Sequence, residues 1–248
     1  MQPIPRISTR GYYDLTNGTT LKKNPYYFYP PQDFEKIIDS KELTIMIHGL
    51  QNDNAGAVAK AVIARNKLRR LGYEFPVIGY SYDSNTTGAH LLAYAKHALS
   101  VGQMIAKKNG RNLATFVKDF KSISPKTKIR LIGHSLGSQV ILSTVERLAT
   151  NHSNIIESAH FFGASITSDI PSSKKYGTLL EKVIRGKIIN YFSPTDDVLF
   201  WADKANFVAG PLGLHGATGK TITKYHQKKV APENHRFASY AKVLNSFP

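Results

Sequence analysis

The segment KIRLIGHSLGSQVILSTVERL, residues 128–148, constrains the fold more than any other. KIRLIG is an apolar-biased run of strand length, and after the serine Ile141, Val145 and Leu148 recur at i, i+4 and i+7, the spacing of one helical face. Between strand and helix lies Gly133-His134-Ser135-Leu136-Gly137. A chain that turns from strand to helix in so few residues needs close backbone approach, which glycines on either side of the serine permit. Such a turn lifts a serine hydroxyl above the sheet. A glycine-rich turn without chemistry has the same composition, so the pentapeptide by itself is a weak signal.

The surrounding chain repeats the strand-then-helix alternation. LTIMIHG (43–49) reads as a central strand, AGAVAKAVIARNKLRRLG (55–72) as a helix with a cationic end, and FPVIGYSY (75–82) as a second strand. Residues 87–110 have helical composition and are predicted to stop at Asn109-Gly110, with a second helical segment from Leu113 to Phe120. IESAHFFG (156–163), KIINYFS (187–193) and the weaker TITKYHQKK (221–229) supply further strands. A last helix places Phe237, Tyr240, Ala241 and Leu244 on one face. This alternation predicts an α/β class chain, a three-layer α/β/α sandwich around a mostly parallel sheet, with its chemistry at the carboxyl ends of the strands. Residues 1–248 are expected to form one domain with no boundary inside 43–248. The first 40 residues fit the alternation poorly and are expected to be an edge hairpin or a covering segment, and the glycine-rich stretch 205–220 to be a lid or access loop.

Composition excludes several classes. No cysteine is present, which removes disulfides, thiolate metal sites and a cysteine nucleophile. The start, MQPIPRISTRGYYD, has no continuous apolar core of a signal peptide, and no run reaches the ~18 apolar residues of a membrane span. A soluble, cytoplasmic protein is the expectation. The formal charge of +16 favours anionic partners, including anionic lipid surfaces. The cationic residues fall in short separated groups, and none of the usual nucleic-acid recognition modules is legible. No HExxH or comparable ligand spacing is present, so neither metal nor cofactor is expected.

A serine alcohol is a poor nucleophile at neutral pH and needs a base, which in turn needs an orienting acid. In a fold of this type the chain order is serine, then acid, then histidine, each after a later strand. SPTDDVLF (193–200) follows KIINYF and offers Asp196 and Asp197, one of which is expected simply to cap backbone amides. His235 in ENHRFASY precedes the last helix and is the best placed base, with His215 and His226 as rivals after the acid. His90, His97 and His152 lie in helical contexts before the acid, His160 lies within a strand, and His134 is expected to point away from the site. Two amides are candidates for an oxyanion hole: that of Leu136, directly after the serine, and that of Leu50, after the strand-ending His48-Gly49.

With those residues in that order, the chain resembles the α/β-hydrolase superfamily over roughly residues 40–245. More narrowly, LIGHSLGSQVI, FFGAS and GKIINYFSPTDDVLF are similar to the branch that includes transmembrane and coiled-coil domain-containing proteins, which carry a serine elbow and later an Asp-x-x-Leu turn. The aspartate three positions before Leu199 is Asp196, so the resemblance selects Asp196 over Asp197. The chain departs from the branch at His134, where an aromatic residue is common, and in lacking membrane spans.

The resemblance implies a serine esterase or lipase acting on a small-molecule or lipid ester through Ser135, His235 and Asp196. Thioesterase, amidase, peptidase and acyltransferase chemistry would use the same groups, and a non-catalytic hydrolase-fold module binding an anionic partner is the alternative from another class. The aromatic clusters Tyr26–Tyr29, Phe161-Phe162 and Phe200-Trp201 are candidates to line an acyl pocket or to serve as packing.

Overall fold

The computed structural model describes residues 4–89, 91–174 and 176–248, so His90 lies outside the described residues. Among the described residues, eight strands form one sheet: β1 (Arg6–Ser8), β2 (Tyr27–Tyr29), β3 (Glu42–Ile47), β4 (Val77–Ser81), β5 (Lys128–His134), β6 (Ser158–Phe162), β7 (Ile188–Phe192) and β8 (Tyr225–Lys229). Their spatial order is β2-β1-β4-β3-β5-β6-β7-β8, and every neighbouring pair except β1 with β2 is parallel.

The central strands read as apolar runs because both of their faces are covered. Along β3, Leu43, Ile45 and Ile47 join the larger core cluster while Met46 joins the other, the period-two alternation of a pleated strand. The larger cluster packs under α2 (Ala95–Ile123), α3 (Gly137–Leu148) and α4 (Tyr176–Val183). The second packs under α1 (Asn54–Arg70) and α7 (Phe237–Val243). Two short helices, α5 (Asp197–Lys204) and α6 (Leu212–His215), follow β7. The result is the α/β/α sandwich that the alternation predicts, and among the described residues no helix is long and apolar enough to cross a membrane.

One helix boundary differs from the sequence reading. Asn109-Gly110 does not end a helix; α2 runs unbroken from Ala95 to Ile123, and what precedes it is a turn with a 3-10 segment at Leu92–Tyr94. Gly110 is small because α3 crosses there: a Cβ on it would lie 2.3 Å from Ser143 Cβ and 2.8 Å from the Thr144 nitrogen. The Asn109 amide is buried, donating to the Ile105 carbonyl at 2.9 Å and accepting from Thr9 Oγ1 at 2.7 Å and Tyr80 Oη at 2.9 Å. Both residues therefore answer to tertiary contacts and not to helix termination.

At the other end of the chain, β1 and β2 pair antiparallel, and β1 adds to the parallel sheet beside β4. The Asp83 carboxylate, just after β4, ties this segment down by accepting the amides of Gly11, Tyr12 and Tyr13, each at 3.0 Å. Within 205–220, residues 211–216 are pinned by the backbone: the Leu212 and Gly213 amides donate to Ile166 and Ala164 carbonyls at 2.7 and 2.9 Å.

Candidate active site

Ser135 stands directly after the last residue of β5 and before α3, with φ of 51°. A serine in this left-handed region is strained and persists only where its surroundings hold it. Close packing supplies the hold. A Cβ on Gly137 would lie 2.5 Å from the Ile47 carbonyl oxygen, so α3 starts against the end of β3 as only glycine allows. The Ser135 amide donates to the Phe162 carbonyl at 3.0 Å, which ties the turn to β6.

Asp196 ends the loop after β7 and caps α5, its Oδ1 accepting the Leu199 amide at 3.0 Å. Oδ2 faces His235 Nδ1 at 2.7 Å and accepts the Tyr240 hydroxyl at 2.6 Å. Burial pushes the Asp196 carboxyl up, but the His235 contact, Tyr240 and the Leu199 amide outweigh it and hold the carboxyl below its usual range. The same proximity pushes the buried Tyr240 hydroxyl up, by burial first and then by the Asp196 charge. With a carboxylate on Nδ1, the proton of a neutral His235 sits there and Nε2 carries the lone pair. That Nε2 is buried and has no hydrogen-bond partner among the described residues, the Ser135 hydroxyl included. A nucleophile and base often close to hydrogen-bond distance only around a substrate.

His134 does not point away from the site. Its Nε2 donates to the His235 carbonyl at 2.7 Å, and the two rings are 5.0 Å apart, so the residue next to the serine props the loop that carries His235. Burial, followed by the nearby His235, pushes its pKa down to about 3, which keeps it a neutral donor.

The loop after β3 reaches the same place. A Cβ on Gly49 would lie 2.8 Å from Ser135 Cβ and 3.1 Å from the His134 carbonyl oxygen. The Gly49 carbonyl accepts from His48 Nδ1 at 2.9 Å and Asn52 Nδ2 at 3.0 Å, and Asn52 Nδ2 also reaches the Leu50 carbonyl at 2.7 Å. Because the peptide plane is trans, anchoring the Gly49 carbonyl on one side aims the Leu50 amide to the other. His48 itself is fixed in one tautomer. The Tyr82 amide donates to its Nε2 at 3.2 Å and Arg10 Nη2 lies 3.3 Å from the same atom, which leaves Nδ1 to donate to Gly49. Burial first, then Arg10, pushes His48 well below the ordinary histidine range. The Leu50 and Leu136 side chains converge on Gly102 of α2, where a Cβ would lie 2.5 and 3.4 Å from them.

The other candidates lie elsewhere. Asp197 is exposed at the first position of α5, His226 is exposed on β8, and His215 pairs at 2.7 Å with Asp203 on the surface. Phe161 and Phe162 are core residues, whereas Phe200 and Trp201 are exposed. A cleft of about 450 Å³ lined by Lys41, Glu42, Phe75, Lys126 and Lys128 opens at the amino ends of β3 and β5, the opposite end of the sheet from Ser135. Reading the sequence missed Tyr240, His134, Asn52 and Arg10 as parts of this site; the position of His134 beside the serine was the one available signal.

Strand order, layering and the serine turn after β5 together make this an α/β hydrolase. Residues 92–215, half of the 248-residue chain, match the family described as "Protein of unknown function (DUF726)", and the chain belongs to that family. It is similar to phospholipase A1 4 of Polistes dominula, 32% identical over 135 residues that cover 50% of this chain and 39% of the relative. The match therefore spans well under half of the relative's length. Among solved structures it is similar to an α/β serine hydrolase without a lid from Xanthomonas campestris, with TM-score 0.45, 11% identity and coverage of 83% of this chain and 80% of that one. The catalytic core domain of acetyl xylan esterase from Trichoderma reesei matches with TM-score 0.43 and 11% identity, over 82% of this chain and 93% of that one.

Proposed function

We propose that this protein is a serine hydrolase that cleaves carboxylic esters, with a lipid ester as the preferred class. The observation that carries the reading is the pair Asp196 Oδ2 to His235 Nδ1 at 2.7 Å, on a loop propped by His134, the residue before a serine in a strained turn. The phospholipase A1 similarity supports a lipid substrate.

His235 Nε2 takes the proton of Ser135 as Oγ bonds to the ester carbonyl carbon, and the carbonyl electrons move onto oxygen, where the Leu50 and Leu136 amides receive them. The carbon–alkoxide bond then breaks, the leaving alcohol takes the proton from His235, and an acyl group remains on Ser135. Water, deprotonated by the same Nε2, attacks that acyl carbon and releases the carboxylic acid and the free serine. Asp196 stays ionised throughout and stabilises the imidazolium, while Tyr240 and the Leu199 amide hold the carboxylate in place.

A fluorophosphonate probe is expected to label wild-type Ser135, to leave Ser135→Ala unlabelled and to label His235→Ala much more slowly. Folded wild-type protein that does not label refutes the hydrolase reading and leaves a hydrolase-fold binding module. A panel of esters, thioesters and amides of graded chain length then ranks the acyl chemistries that share these groups.

A further inference from the structure

In a parallel sheet every strand ends on the same side, so the loops after β4 and β7 share one rim with the Ser135 turn after β5. Four strand steps separate β4 from β7, about 19 Å at ~4.8 Å per step, with β5 between them. Both ends of this rim expose large apolar side chains. After β4, Leu91 and Tyr94 are 46% and 59% exposed, and the turn that carries them is tied to the Leu50 loop by Gln51 Nε2 donating to the Ala89 carbonyl at 2.8 Å. After β7, Val198, Phe200 and Trp201 on α5 are 50%, 43% and 69% exposed, while Leu199 is buried and anchors the helix. Because Asp196 caps α5, this apolar face is attached rigidly to the acid of the proposed triad.

Cations accompany both clusters. Lys204 lies on the α5 face that bears Phe200 and Trp201, with its Nζ 5.6 Å from the Phe200 ring centre. Lys96 is exposed at the start of α2, and Arg236 is exposed beside His235. The acids here are few: Asp197 is exposed on α5, and Asp203 is held by His215 and the Gly210 amide. The whole chain carries +16. A rim that combines exposed aromatic and aliphatic groups with cations is matched to the interface of an anionic bilayer, where aromatic rings sit at headgroup level and cations meet lipid charge.

We propose that this rim is a membrane-docking surface: Leu91 and Tyr94 on one side of Ser135 and Val198, Phe200 and Trp201 on the other seat the protein on anionic lipid, facing the serine to the bilayer. The inference rests on the lipid-ester reading above and names where that substrate is met. Trp201 is the only tryptophan of the chain, so its fluorescence reports this surface directly.

The intact protein is mixed at low salt with phosphatidylcholine–phosphatidylserine vesicles and with pure phosphatidylcholine vesicles. With the anionic vesicles Trp201 emission is expected to move to the blue and to be quenched by brominated acyl chains, and the bound fraction to fall as salt is raised. Leu91→Ser with Tyr94→Ser, and separately Phe200→Ser, are each expected to weaken vesicle binding about tenfold, a change of about 1.4 kcal/mol. Hydrolysis of a soluble short-chain ester should stay unchanged in both variants. Sedimentation with vesicles while Trp201 remains unquenched means that another face docks and overturns the proposal, as does failure to bind anionic vesicles at low salt. Fluorophosphonate labelling without vesicles is read independently. A labelled protein that does not bind refutes the docking surface alone, and a docked protein that does not label refutes the hydrolase reading alone.

Discussion

Replacing Asp196 by asparagine tests the site more sharply than removing the serine, because it exchanges one carboxylate oxygen for an NH2 group without changing shape. The carboxylate meets donors on both oxygens: the Leu199 amide on Oδ1, and His235 Nδ1 and the Tyr240 hydroxyl on Oδ2. An amide cannot satisfy that arrangement. If its oxygen stays on the Leu199 amide, its NH2 faces His235 Nδ1; the imidazole must then accept there and carry its proton on Nε2, the atom that takes the serine proton in the proposed mechanism. Tyr240 can rotate to accept from the same NH2, so this orientation is the more stable one. If the amide flips, two donors oppose each other at the Leu199 amide and the α5 cap is lost, at about 1 kcal/mol. The favoured orientation therefore carries the wrong tautomer, which costs about 10⁴-fold in kcat, or about 5 kcal/mol of activation free energy. Asp197→Asn removes an exposed charge from the first turn of α5, worth about 0.3–1 kcal/mol of stability, and should change turnover by no more than about twofold. Steady-state hydrolysis of a p-nitrophenyl ester by both variants gives the comparison, with imidazole ¹⁵N shifts as the tautomer readout. Asp196→Asn retaining a tenth or more of wild-type kcat, or Asp197→Asn showing the larger loss, would refute this assignment.

Two further predictions concern the fold that holds the site. Gly110→Ala gains about 1 kcal/mol of helix propensity but puts a methyl 2.3 Å from Ser143 Cβ and 2.6 Å from its carbonyl carbon, so α2 and α3 must separate. A fall in Tm of about 5 °C is expected by calorimetry, and a rise would count against the packing argument. Buried His134 and His160 are each pushed down to about 3 from 6.5, by burial first. The unfolded chain then binds the extra protons below pH 6.5, so this stability is complete above pH 6.5 and is lost as pH falls toward 3. By pH 5 each histidine has cost about 2 kcal/mol, measurable by urea unfolding at pH 7 and pH 5; His160→Leu should remove one histidine's share of the decline, and an unchanged pH slope would contradict it.

The parts of the fold legible in the sequence are those whose signal is local. Strands covered on both faces are apolar-biased along both faces, so LTIMI, KIRLIG and KIINYF stood out, and Gly133 and Gly137 marked a turn that backbone crowding alone demands. Asn109-Gly110 misled for the same reason: the pair has the composition of a helix end, whereas its role is set by α3 and by Thr9, far away along the chain. Asp196 and Asp197 differed in the sequence only by the Asp-x-x-Leu resemblance that selected Asp196; the start of α5 separates them physically, burying Asp196 and exposing Asp197.

By itself, the sequence determined the α/β class and the strand ends after which Ser135, Asp196 and His235, the proposed nucleophile, acid and base, emerge in that order. Only the tertiary structure decided which polar groups meet there. His134 supports the His235 loop, Tyr240 shares the Asp196 oxygen, and Arg10 helps set the His48 tautomer that orients Gly49. The physical reason is the range of the forces involved. Burial patterns and backbone sterics are written into neighbouring residues, whereas a hydrogen bond from a side chain to a carbonyl a hundred residues away leaves no periodicity to read and appears only when the sheet brings its strand ends together.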